Sequence, residues 1–223
     1  MRGFVPNVAI LGLLAGAAHA VAQSAPTSEP PPEPPPKHVL WLIPNFRTSP
    51  TLAEYKPLTA REKFRIAAQD SFDRGTIALS AAFAGMSQLS NSDPSFGQGV
   101  EGYAHRFGTS YASFVIGNYM TEAVYPTLLH QDPRYFRRGS GSAWSRFGYA
   151  VEQIVWTHTD SGGRQFNFSE ILGNSTAVAV SMSYYPDQRS AKDAVGSLGV
   201  QLGVDAASNV LKEFWPNKPR HHK

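Results

Sequence analysis

Three acid–asparagine pairs, each four residues apart, have the types and spacing to do chemistry in this chain. They are Asn118 with Glu122, Glu170 with Asn174, and Asp205 with Asn209. Four residues is just over one helical turn, so on a helix each pair shares a face. Asn118 and Glu122 fall beside Tyr111, Val115, Tyr125 and Leu129, and Asp205 and Asn209 beside Leu198 and Leu202. Polar groups on apolar faces cost free energy unless they find partners. Three carboxyls converging inside a bundle could bond across helices and fix their register, bind a metal, or hold one acid protonated for acid–base work. The first is favoured. Glu170 also serves as a helix cap, and the Glu-x-x-His pairs of bundle metal sites are missing. No metal and no cofactor is expected.

A second constellation lies at residues 130–138, with the sequence HQDPRYFRR. His130, Asp132, Arg134, Arg137 and Arg138 gather there, ahead of a Gly-Ser-Gly-Ser loop that opens a helix. Arginine forks and the amides of a helix start suit phosphate or carboxylate. The segment from 130 to 142 is therefore the candidate docking loop for an anionic lipid or cell-wall component, and contact with a membrane surface is admissible. An alternative is a hydrolase-like site with Glu122 as base and His130 or Asp132 as partner, two helical turns further on. No nucleophile elbow, metal signature or phosphate loop supports it, so no catalytic residue is assigned. The Asp-Ser-Gly-Gly run at 160–163 resembles a protease nucleophile segment, but a helix-to-helix turn explains it better.

Pro126 lies within the helix that carries Glu122. It has no N–H, so the Glu122 carbonyl loses its helical donor and the helix should bend there.

The elements that position these residues read as helices. Thr59 with Glu62 forms a capping box, Asn167 and Glu170 open another helix, and Ser190 with Asp193 opens the last. The expected helices are 59–74, 76–89, 103–130, 142–158, 167–185 and 190–214. The fourth has the clearest apolar stripe, Trp144, Phe147, Val151, Ile154, Val155 and His158, of the kind that faces a core. Small residues recur every fourth position at Ala81 and Gly85; Gly108 and Ala112; Gly173, Ala177 and Ser181; and Gly199, Gly203 and Ala207. Such rows let helix backbones approach closely. The fold class is a compact all-α bundle of about six helices with close small-residue packing. The uncharged runs are too short to span a bilayer, so a water-soluble bundle is favoured over a membrane-inserting one.

Residues 1–22 read as a secretory signal peptide: Arg2, an apolar core and small residues before the cut. A proline-rich spacer occupies 23–37, an extended segment 38–58, the helical domain 59–216 and a basic tail 217–223. The chain has 223 residues and no cysteine, which excludes a disulfide framework and thiol chemistry. Removing Arg2 from 20 basic residues leaves 19 against 17 acidic ones, a net +2. That balance is too mild for nucleic acid.

The stretches 128–136 (LLHQDPRYF), 166–171 (FNFSEI) and 209–216 (NVLKEFWP) resemble parts of a group of exported bacterial proteins of unknown function. The resemblance spans most of 57–216. It implies a bacterial periplasmic, envelope or secreted location and no reaction. The expected function is a non-catalytic envelope-associated binding or structural domain that docks an anionic or amphipathic component.

Overall fold

A computed structural model describes residues 38–39, 43–44, 47–49 and 55–215. The expected signal peptide (1–22), proline-rich spacer (23–37) and basic tail (217–223) lie outside the described residues.

The caps act as their sequences indicate. Thr59 accepts from the Glu62 amide at 3.3 Å, and Glu62 accepts from the Thr59 amide at 2.8 Å, opening α1 (Ala60–Ser71). Asp73 accepts from the Gly75 amide at 2.7 Å and starts α2 (Arg74–Ser90), just before the expected break at Gly75. α3 runs over Gly99–Tyr119. The irregularity expected at Pro126 takes the form of a π turn, Met120–Val124, between α3 and a short α4 (Tyr125–Leu128). A proline that withholds its N–H leaves a carbonyl to be re-satisfied, and π turns absorb such a mismatch. Lys63 separately donates to the carbonyl of Pro126 itself at 3.0 Å. Ser142 caps α5 (Ala143–Glu152), Asn167 caps α6 (Phe168–Ser181), and the Ser190–Asp193 box opens α7 (Ala191–Phe214).

The chain is mostly helical, but not all-α. β1 (His38–Val39) pairs antiparallel with β2 (Ile43–Pro44), where an unpaired strip was expected. β4 (Gln131–Asp132), β6 (Trp156–Thr159) and β7 (Arg164–Phe166) form an antiparallel sheet, while β3 (Thr48–Ser49) lies parallel to β5 (Tyr135–Phe136). The helix expected to reach residue 158 thus stops at Glu152. Trp156, Thr157 and Thr159 are aromatic and β-branched residues that favour strands. The Asp-Ser-Gly-Gly run is the β6–β7 hairpin turn rather than a helix-to-helix turn, with Gly162 at φ +84°.

Among the described residues, half the buried apolar side chains are alanines. The interior is instead knit by charged and polar groups. Arg106 binds the carbonyls of Asp93 and Gly97 at 2.7 and 2.6 Å, and Lys63 holds Asp160 at 2.7 Å. Tyr55 and Arg134 grip Asp132 at 2.9 and 2.6 Å. The α5 stripe faces outward: Trp144, Phe147, Val151 and Val155 are exposed, and Ile154 alone of its aliphatic members is buried.

Of the small-residue rows, close approach is found at Gly173. A Cβ there would meet the Thr121 methyl at 2.6 Å and the Thr121 backbone nitrogen at 2.9 Å. Gly85, Gly108, Gly199 and Gly203 face open space, so the expected close packing fails at those rows. Gly173→Ala is therefore expected to destabilise by about 1–3 kcal/mol through overpacking against backbone. Gly203→Ala should stabilise by about 0.5–1 kcal/mol through helix propensity alone. Thermal unfolding of the two variants checks this; equal shifts would refute it.

A groove over a buried charge cluster

The chain brings one arginine into the centre of the helices. Arg47, in the segment before α1, places Nε 3.2 Å from Glu122 and 3.5 Å from Asp70, and Nη2 3.9 Å from Asp205. The π turn carries Glu122 into this centre, where it is 1 % exposed. α6 supplies Glu170 and Asn174, and Asn174 donates to Glu170 at 3.0 Å and to Asp205 at 3.3 Å. Lys212 of α7 is buried in the same cluster. Asn209, also on α7, lines a small polar cavity of about 30 Å³ with Arg47 and Glu170.

Four carboxyls thus share two cations, and the imbalance sets their protonation. Burial pushes Glu122 well above the usual carboxylate range, Asp70 pushes it further, and Arg47 opposes. Burial and the neighbouring Asp205 do the same to Glu170. Burial also raises Asp70, against the pull of Lys212 and Arg47. Lys212 is pushed down to about 8 by burial and by the like charge of Arg47. Burial works against the charge of Arg47 as well, but Glu122, Asp70 and Asp205 outweigh it and keep the guanidinium protonated. Glu122 Oε2 and Asp70 Oδ1 are buried without a hydrogen-bond donor, which fits a proton held between the two acids.

Above this cluster a groove of about 590 Å³ runs between α2, α3, α6 and α7. Phe83, Met86, Phe114, Val200 and Val204 give it apolar wall; Ser110, Ser113, Asn118 and Gln201 give it hydrogen-bonding groups. Thr121, Asn174 and Asp205 line it as well, so the charge cluster reaches the groove through Asp205. Gln201 Oε1 is buried without a partner.

The sequence-derived candidates sort clearly. Glu122, Glu170, Asn174 and Asp205 come together around Arg47, Asn209 adjoins them, and Asn118 lines the groove. The docking loop is not a free basic surface. Arg134 is spent on Asp132, on the Lys56 carbonyl at 2.7 Å, and on stacking over Tyr55 and Phe136. Arg137 donates to the Glu213 carbonyl at 2.9 Å. Arg138 stays exposed. His130 is exposed with φ 52° and has Asp160 4.0 Å away. Glu122, His130 and Asp132 form no shared pocket: the first is sealed inside, the second is outside, and the third is held by Tyr55 and Arg134.

Sequence reasoning missed Arg47, Asp70 and Lys212. Asp70 lies on a face of α1, with Lys63, Ala67 and Ser71, that is buried yet mostly polar, so no apolar stripe announced it. Lys212 follows Asp205 by seven residues, two turns along the same face. Arg47 has no such signal, because it lies before the first helix in a segment without helical periodicity.

Among the described residues, no three His, Cys, Asp or Glu side chains are placed to hold a metal ion, and no helix is long and apolar enough to cross a membrane. Compared with known families, curated proteins and solved structures, the chain matches none. The described residues define a mostly helical domain with a charged interior and an amphipathic groove.

Proposed function

We propose that this chain is an exported, non-catalytic binding domain of the bacterial envelope, and that it takes an amphipathic molecule into the groove between α2, α3, α6 and α7. The groove itself carries this reading. Its volume of about 590 Å³ lies in the range of small-molecule sites, and apolar walls with a few polar groups are what such sites use for affinity and orientation. Phe83, Met86 and Phe114 would take an apolar chain. The unpartnered Gln201 carbonyl would accept from a polar head. The signal peptide and spacer support an extracytoplasmic setting. The sealing of Glu122 and the engagement of Arg134 and Arg137 favour the groove over both the loop and a hydrolase site.

Gly196 offers a clean test, because it lines the groove and a Cβ there meets open space. Gly196→Trp should fill the groove and weaken binding of a dansyl-labelled medium-chain fatty acid by roughly tenfold or more. Gly85→Leu, also in open space but outside the groove lining, should leave binding unchanged. Fluorescence titration of the mature protein reads both. Absence of probe binding by the parent protein, or equal binding by both variants, would refute the reading.

A further inference from the structure

We infer that the outward face of α5, continued by Val155, Trp156 and Phe168, is a docking surface for a bilayer that contains anionic lipid. None of these residues lines the groove, so the inference stands apart from it.

The observation behind it is the reversed stripe. Trp144 is 83 % exposed and Phe147 43 %, and Val151 is exposed one turn further on. These positions, spaced three and four apart, put one apolar side of α5 in solvent. Trp144 and Phe147 pack edge to face at 6.1 Å. Beyond α5, exposed Trp156 stands edge-on to Phe166 at 6.3 Å, and Phe166 meets exposed Phe168 at 5.0 Å. Water penalises such a display of aromatic area, and on a folded domain it marks a surface built for contact.

Charge selects the occupant. Arg138 is exposed at the start of the face, and Arg164 is exposed beside Trp156, its guanidinium 5.7 Å from the ring. Glu152 pairs with Arg164 at 2.6 Å, while Glu213 is buried against Arg146. α7 packs against α5, and Lys218, Arg220 and Lys223 follow α7 in the sequence. Tryptophan and phenylalanine flanked by arginine and lysine suit the lipid interface, where rings enter the headgroup layer and cations meet anionic phosphates. A second copy of this chain fits less well, since a self-complementary interface would face one cationic rim with another.

The mature chain is tested by flotation with vesicles of phosphatidylcholine alone and of phosphatidylcholine mixed with phosphatidylglycerol. Binding to the mixed vesicles is expected, with a blue shift of tryptophan emission and loss at high salt. Trp144→Ser with Phe147→Ser should lower the bound fraction by roughly tenfold, because both side chains are exposed and their loss leaves the fold intact. Leu89→Ser with Val100→Ser removes a comparably exposed apolar pair elsewhere and should leave binding unchanged. The inference is overturned if the parent chain ignores both vesicles, if it binds neutral vesicles equally, if the two double variants lose binding alike, or if Trp144 instead holds a dimer together.

Discussion

Glu213→Ala is expected to lower stability by about 3–5 kcal/mol at neutral pH, the cost of breaking a buried ion pair from one side. The carboxylate is 0 % exposed. It accepts from the Tyr135 hydroxyl at 2.7 Å, from the Arg138 and Gly139 amides at 3.0 and 2.9 Å, and from Arg146 at 2.8 Å. Arg146 also donates to the Glu213 carbonyl. One side chain thus ties the end of α7 to β5, to the loop after it and to α5. Alanine would strand a buried hydroxyl, two amides and a guanidinium at once. Burial would raise the Glu213 pKa, but its donors, Arg146 and Tyr135 foremost, outweigh burial and set it below the usual carboxylate range. The stability it contributes is therefore complete above the unfolded-state pKa of about 4.3, and it fades as pH falls through the lower folded value. Urea unfolding of parent and variant should show a gap that is large at neutral pH and closes in acid. A gap that persists unchanged at about pH 2 would refute this account.

Arg47→Met should weaken the protein by a similar amount, about 3–5 kcal/mol at neutral pH, but with a gap that closes in a higher pH window, above rather than below the unfolded carboxylate value. Its loss leaves Asp70, Glu122, Glu170 and Asp205 with Lys212 as the remaining cation of the cluster. Burial holds the Glu122 and Glu170 carboxyls above the ordinary value. Between the unfolded value of about 4.3 and the raised folded values, the native state binds more protons than the unfolded state, so stability falls as pH rises through that window. Without Arg47 the window extends upward. The gap between parent and variant should thus be small at about pH 4 and widen toward neutrality. A gap that narrows on the way from acid to neutral pH would show that the cluster does not work as described. The two variants together separate a carboxylate held charged by its donors from carboxyls held neutral by burial.

Much of the secondary structure was legible before any coordinates. The Thr59–Glu62 and Ser190–Asp193 boxes and the Asn167 cap sit where they were expected, and Pro126 disturbs its helix as a missing N–H requires. The strands were not legible. β4 and β5 are two residues each, and their partners β6 and β3 lie far away in the chain, so no local pattern announces them. The candidate site was half legible. The acid–asparagine spacing pointed to Glu122, Glu170, Asn174 and Asp205, yet the basic loop misled, because an arginine's sequence neighbours do not reveal whether its charge is already spent.

Caps, kinks and shared helix faces depend on atoms within about one turn, so the order of residues was enough to write them down. Which faces turn inward is a different matter. Burial depends on what other segments bring: Arg47 arrives from ahead of α1 to neutralise acids from three later elements, and Glu213 arrives from the end of the chain to satisfy β5 and α5. With those partners supplied, carboxyls occupy the centre and the α5 stripe is left outside. The apolar pattern alone would have arranged them the other way round, because it carries no information about charges that arrive from a distance.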